Sequence, residues 1–350
     1  MNQNYGIRVS LNKKSVCLLP RLQGPGGPSS FQAKLRQGLA SHGIEAHHDP
    51  NRADCGAILV IGGTRQLPAL WQARRRGVRI VQRLDGMNWL HRVHYTGLRH
   101  YLRSEANNFL LASIRRFLCH HIVYQSQFTQ EWWQRRFVIS ECSHEVIYNG
   151  VDLQGFSPTM SQPPADDEIH LVVIEGSFAG GHKRDLLNAL EFASGLQQKT
   201  GKRLKLSIAG HVPVEWKVLV PKNDSLHINW IGLIPNADIP ALDRSAHLFF
   251  PSEINAACPN SVVEALACGL AVVGYSTGSI PELVQGDAGR VAPYGSDYWQ
   301  LEAPHPEPLI EGALEILANQ PHFRLAARAR AEKHFGLELM TNKYLQALNL

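Results

Sequence analysis

Short apolar runs alternate with longer segments of helical period, and they do so in two successive series. The first comprises SVCLLP (15–20), IEAHH (44–48), AILVIG (57–62), VRIVQRL (78–84), HIVYQS (121–126) and HEVIYN (144–149). The second comprises IHLVVIEG (169–176), LKLSIAG (204–210), LHINWIG (226–232), AHLFFPS (246–252), AVVGYS (271–276) and GRVAP (289–293). Several runs are unbroken and β-branched, the pattern of strands covered on both faces by helices. Repeated strand–helix–strand units predict parallel sheets, so the fold class is α/β. Between the series lies SPTMSQPPADDE (157–168), which has no apolar period to bury and is stiffened by Pro163-Pro164. Two Rossmann-like domains are therefore expected, at 1–160 and 161–335. The remaining residues, 336–350, carry Leu337, Met340, Tyr344 and Leu348 at helical spacing and predict a helix with one buried face.

With 350 residues, 44% of them hydrophobic, the chain can build two cores. It has no apolar run of about 18 residues, and MNQNYGIRVSLNKK lacks the layout of a signal peptide, so a cytoplasmic protein is expected. Six scattered cysteines without a C-x-x-C pair read as reduced thiols. His47-His48-Asp49 and His120-His121 are too isolated to form a metal site, because neighbouring strand side chains point to opposite faces. Charge is more informative. Residues 1–165 hold 20 Lys+Arg against 9 Asp+Glu, whereas 166–350 hold 15 against 21. A basic half beside an acidic half suggests that one of them meets an anion, with a solvated basic surface as the alternative.

In open α/β sheets ligands bind beyond the carboxyl ends of the strands, so three strand-to-helix junctions carry the functional argument. In LLPRLQGPGGPSSFQAKL, Gly26, Gly27 and Ser29-Ser30 would let backbone N–H groups approach an anion or a sugar hydroxyl. Two prolines and a missing third glycine exclude the dinucleotide fingerprint there. IEGSFAGGHKRDLL nearly matches a phosphate-binding loop, but His182 precedes Lys183, and Arg184 stands where a magnesium-binding Ser or Thr would be. Lys183 and Arg184 at a helix start would still suit a diphosphate. In PSEINAACPNSVVEALACG, the helix start at Asn260-Ser261 is an anion site, and Glu264 one turn in could hold a vicinal diol. Ser261-Val262-Val263-Glu264 is equally a capping box, in which Glu264 would only satisfy a backbone N–H.

That third stretch, together with VIYNGVDLQGFSP (146–158), resembles glycosyltransferase family 4, the retaining nucleotide-sugar transferases of GT-B fold. Further resemblances follow in family order: Gly26-Gly27 after the first strand, HIVYQSQFTQEWW around Ser126, INWIGLIPNADIPALDRSAHLFFPSE, and EALACGLAVVGYSTGSIPELV. The last helix is similar to the family's helix that crosses back to the first domain. The resemblance implies two Rossmann-like domains facing across a cleft, with the acceptor on the first and the nucleotide sugar mainly on the second. It also implies transfer with retention, no cofactor and usually no metal. On this basis Glu264 would hold the ribose and Lys183 the diphosphate. Pro259, Asn260, Ser261 and Val262 would offer backbone groups to phosphate or sugar, Gly232, Leu233 and Ile234 would lie along the base, and Gly27 would approach from the opposite wall.

Three positions depart from the family pattern. Ala256 stands where an acidic residue contacts donor-sugar hydroxyls, with Glu253 nearby at another offset. Ser177 stands where an arginine follows Gly176, leaving Arg184 as a candidate replacement. Asp85 stands where many members have a histidine, so Asp85 or Arg83 would position sugar and acceptor. After Asp85, the aromatic and basic segment NWLHRVHYTGLRHYLRS (88–104), with Asn88, Trp89 and Arg92, is a candidate acceptor loop suited to an anionic or lipid-linked acceptor, and Ser126 is a further candidate acceptor residue. The alternative is a basic helix packed on the first domain. The expected substrates are a UDP- or GDP-sugar and a carbohydrate or lipid-linked acceptor, with peripheral membrane contact through the basic domain and no nucleic acid. Two other readings stay open: a degenerate GT-B protein that binds nucleotide or a partner without turnover, and a sugar-nucleotide epimerase of the same architecture.

Overall fold

A computed structural model describes residues 15–24, 26–137, 140–158, 168–219 and 224–350. Every apolar run of both series forms a strand. The first sheet contains β1 (Ser15–Leu19), β2 (Glu45–His47), β3 (Cys55–Ile61), β4 (Arg79–Leu84), β5 (His121–Tyr124) and β6 (Ser143–Val146). All its pairings are parallel, in the order β2-β1-β3-β4-β5-β6. The second sheet contains β7 (Glu168–Ser177), β8 (Arg203–His211), β9 (Leu226–Gly232), β10 (Leu248–Phe249), β11 (Val272–Tyr275) and β12 (Gly289–Ala292), ordered β12-β11-β10-β7-β8-β9 and again parallel. The unbroken apolar runs are explained by burial: β1, most of β3 and the centre of β7 are sealed on both faces. Only β10 is much shorter than its run, reduced to two residues before Pro251.

The topology locates the ligand crevice. Strand order reverses between β1 and β3 in the first sheet and between β7 and β10 in the second, and crevices open at such switch points beyond the strand ends. There the chain presents Gly26-Gly27 after β1, Glu175-Gly176 at the end of β7 and the 251–260 loop after β10.

The helix Leu337–Leu348 returns to the first sheet. Met340, Tyr344 and Leu348 are buried with Val16, Phe31 and Leu35, and the Tyr344 ring lies 5.2 Å from Phe31. Gly38 allows this close packing, since a Cβ there would fall 2.0 Å from Thr341 Oγ1. Beside it the Asn149-Gly150-Val151 segment makes the other crossing. Val151 N–H donates to Phe335 O (2.8 Å) and Leu337 N–H donates to Val151 O (2.9 Å), so the two crossings support each other. Residues 159–167 of the expected linker lie outside the described residues.

Candidate active site

The two switch points face each other across a cleft of about 1170 Å³ lined by both sheets' loops. On its second-domain wall the helix Asn260–Ala267 has Pro259 as its N-cap residue and no side-chain cap. Ser261 therefore lies inside the helix, and the capping box does not form. Glu264, 3% exposed, instead accepts from Lys34 Nζ at 2.8 Å, across the cleft from the helix Gly27–Ser41. Pro259, Asn260, Ser261 and Glu264 line the cleft, with Leu233 and Ile234 beside them. Gly232 ends β9 at φ +79 and turns the chain toward that wall, while Val262 is sealed in the core. Gly26 and Gly27 line the opposite wall together with Lys34.

At the second-domain wall lies a carboxyl cluster. Glu175 Oε1 accepts from Ser252 Oγ (3.0 Å) and Glu253 N–H (3.2 Å), and both glutamates line the cleft. Burial, with Glu253 and Asp185 nearby, pushes the Glu175 carboxyl up to about 8; burial and Asp185 push Glu253 up to about 7. His182 Nδ1 pairs with Asp185 Oδ2 at 2.7 Å. Burial opposes its charge, but the bond to Asp185 and the surrounding carboxylates prevail and raise it to about 9. The cleft-lining cation at this turn is thus His182. Lys183, expected to meet the diphosphate, is exposed and is not part of the cleft wall. Arg184 runs along its own helix to Asn188 and Glu191, and Ser177 turns to Ala179 N–H and His211, so neither enters the cleft.

The first-domain wall carries Arg83, Asp85, Asn88 and Trp89. Arg83 is 1% exposed, lies 3.8 Å over the Phe31 ring, donates from Nη2 to Asn149 Oδ1 (2.9 Å) and has the Tyr344 hydroxyl beside it; among the described residues its Nε and Nη1 have no partner within hydrogen-bond distance. A buried, half-satisfied guanidinium at a cleft wall is a ready partner for an anionic or oxygen-rich ligand. Burial raises the Asp85 carboxyl despite the neighbouring Arg83. Asn149 also donates to Cys258 O (2.8 Å), tying the interdomain crossing to the 251–260 loop.

Two expected acceptor residues have other duties. Ser126 is fully buried and caps the helix Gln127–Arg136 by accepting from Thr129 N–H at 3.1 Å. Arg92 binds both oxygens of Glu105, at 2.6 and 2.9 Å, outside the cleft. His47 and His121 are likewise occupied locally, by Ser15 and by Ser143 and Glu145. Lys34, Glu175 and His182 were not among the residues picked from sequence. Lys34 had a signal: Ser30, Lys34 and Gln37 recur at helical spacing after Gly26-Gly27, and all three face the cleft.

Comparison with known proteins agrees with this architecture. Residues 58–154 match the model for Glycosyltransferase Family 4, and residues 171–319 match Glycosyl transferases group 1. The O-antigen chain mannosyltransferase B of Escherichia coli is 31% identical over 113 residues, a stretch covering 31% of this chain and 29% of that protein. Among solved structures, sucrose-phosphate synthase from Thermosynechococcus elongatus superposes with a TM-score of 0.70 at 14% identity, covering 96% of this chain and 98% of that one. Anabaena HepE in complex with UDP-glucose superposes with a TM-score of 0.67 at 14% identity, covering 96% and 99%.

Proposed function

The chain belongs to the family 4 and group 1 glycosyltransferases, and from that premise we propose that it transfers a hexose, with retention, from a nucleoside-diphosphate sugar to an acceptor held by its basic first domain. The observation that carries this reading is Glu264: a nearly buried carboxylate one turn into a cleft-facing helix, engaged by a lysine from the opposite domain rather than by its own backbone. A ribose diol can exchange with that ammonium as a bidentate partner.

In the proposed reaction the bond from the anomeric carbon to the diphosphate oxygen breaks and a bond to the acceptor oxygen forms on the same face. The acceptor proton passes to the departing phosphate oxygen, so no protein nucleophile is needed. The charge developing on the diphosphate would be met by His182 rather than Lys183, by the amino terminus of the Asn260–Ala267 helix and by Arg83. Asp85, whose carboxyl burial pushes up, would hydrogen-bond a sugar hydroxyl. A UDP- or GDP-sugar is the proposed donor.

The acceptor side supports an anionic or lipid-linked substrate and peripheral contact with a membrane. Tyr95, Leu98, Leu102 and Phe109 project into solvent, beside Arg99 and Arg103. Among the described residues no helix is long and apolar enough to cross a membrane.

A thermal-shift panel of UDP, GDP, ADP and their sugars tests the proposal; stabilisation by none of them would sink it. The buried Ala256, which supplies no carboxylate, favours nucleotide binding without turnover as a second reading, and release of free nucleotide in the presence of a sugar acceptor would dismiss it.

A further inference from the structure

Next to the cleft lies a second cavity of about 430 Å³, built by both domains. Its walls are the rings of Trp89, Phe128 and Trp132 from the first domain and Trp299 from the turn after β12, together with Val93. Trp299 meets Trp89 (5.2 Å, 77°) and Trp132 (5.1 Å, 68°) edge to face and lies stacked on Phe128 (6.3 Å, 26°). Trp89 is a wall of both the cavity and the cleft.

We propose that this cavity receives the apolar chain of a lipid-linked acceptor, where that chain leaves the sugar-bearing end held in the cleft. The inference rests on the proposed glycosyl transfer. Three observations carry it. Trp89 joins the two spaces, so a ligand with its polar end in the cleft passes directly into the ring-lined cavity. The charged side chains that line the cavity are already paired, Arg92 with Glu105 and Arg135 with Glu131, each at 2.6 Å, so the lining favours an uncharged occupant. A sugar unit would need convergent unpaired polar groups beside its stacking face; here four rings and Val93 share the lining with Gln300 and with charged side chains already held in ion pairs, a wall that suits hydrocarbon. In the sequence that follows Val93, Tyr95, Leu98 and Leu102 are exposed, with Arg99 and Arg103 exposed among them. This is the composition of a segment lying against an anionic bilayer, from which such an acceptor would arrive. Because Trp299 belongs to the second domain and the other three rings to the first, an occupied cavity would also hold the domains together.

Saturation-transfer NMR of the full chain with octyl β-glucoside, below its micelle-forming concentration, tests the proposal, with maltose as competitor. The expected result is saturable binding in which the octyl methylenes receive more saturation than the ring protons, and no displacement by maltose. Trp299→Ala and, independently, Val93→Glu should each weaken that binding at least tenfold while leaving nucleotide-induced stabilisation unchanged. Dominant ring-proton saturation with displacement by maltose would make the cavity a glycan subsite and overturn the proposal, as would wild-type affinity in either folded variant. Loss of nucleotide binding in the wild type would remove the transfer reading, whereas chain binding that depends on Trp299 would still support the cavity.

Discussion

The Lys34 ammonium lies 2.8 Å from Glu264 Oε1 and joins the first helix of one domain to the helix Asn260–Ala267 of the other. Both side chains are largely withdrawn from water, at 12% and 4% exposure, so this is a buried ion pair rather than a surface one. A second tie lies farther along the interface, where Glu282 accepts from Gln127 N–H (2.8 Å), Phe128 N–H (2.9 Å) and the Tyr148 hydroxyl (3.0 Å). The cleft is thus held by two carboxylates of the second domain, and one of them belongs to the candidate donor site.

Removing one partner of a buried pair strands the other charge. Lys34→Met should lower unfolding stability by roughly 3 kcal/mol in urea titration. Adding Glu264→Gln should recover part of that loss, giving a coupling of about 0.5–3 kcal/mol in the double-mutant cycle. Strictly additive single effects would mean that the pair is not energetically joined.

If Glu264 holds a ribose diol, Glu264→Gln removes charge-assisted hydrogen bonds worth about 1.5–3 kcal/mol. Calorimetric titration with the most stabilising nucleotide should then show at least about a tenfold rise in Kd. Unchanged affinity would return Glu264 to a purely interdomain role.

Strands and helix ends were legible because burial on both faces leaves unbroken β-branched runs, and because glycine and proline punctuate each junction. Contacts made across space were not. Glu264 sits at capping-box spacing from Ser261, yet Pro259 is the helix's N-cap residue, and only the folded chain brings Lys34, 230 positions away, to its carboxylate. Lys183 and His182 are adjacent in sequence, and which of them faces the cleft depends on the pitch of the turn after Gly180 and Gly181, both at positive φ. Ser126 carried a motif resemblance, but the same hydroxyl is what a helix start needs as a cap.

Gly278 in the STGSIPEL turn has φ +56, and a Cβ there would lie 2.6 Å from both the N and the O of Ala256. Ser279 N–H donates to that same Ala256 O at 2.9 Å, so this turn fixes the loop that leads to Pro259. Gly278→Ala adds about 1–2 kcal/mol of left-handed strain before any clash is relieved. A fall of several degrees in Tm with weaker nucleotide binding is expected, and a variant matching the wild type in both would contradict this role for the turn.

The exposed Leu98, Leu102 and Phe109 lie opposite the buried face of the helix Leu98–Phe117, which carries Ser104, Asn108, Leu111 and Ile114. With Arg99 and Arg103 alongside, co-sedimentation with phosphatidylglycerol vesicles should exceed that with neutral vesicles. Replacing both arginines by Ala should weaken it by roughly 1 kcal/mol each, about fivefold per residue. Equal binding to both vesicle types would mark the basic surface as merely solvated.

The carboxyl cluster at the second-domain wall sets the pH dependence. In the unfolded chain glutamate titrates near 4.3 and histidine near 6.5. In the folded chain burial and neighbouring carboxyls hold Glu175 up to about 8 and Glu253 up to about 7, while Asp185 helps hold His182 up to about 9. All three therefore bind more protons folded than unfolded over this range, so their contribution is full at low pH and is lost as pH rises through the folded values. Tm should fall progressively from about pH 5 to 9, and Glu253→Gln should both flatten that fall and raise Tm at pH 8. Nucleotide affinity should decline over the same interval, because deprotonation of the glutamates and loss of the His182 proton each place more negative charge beside a diphosphate. A wild-type melting curve that stays level from pH 5 to 9, or a Glu253→Gln curve parallel to it, would show that the cluster does not titrate as its burial requires.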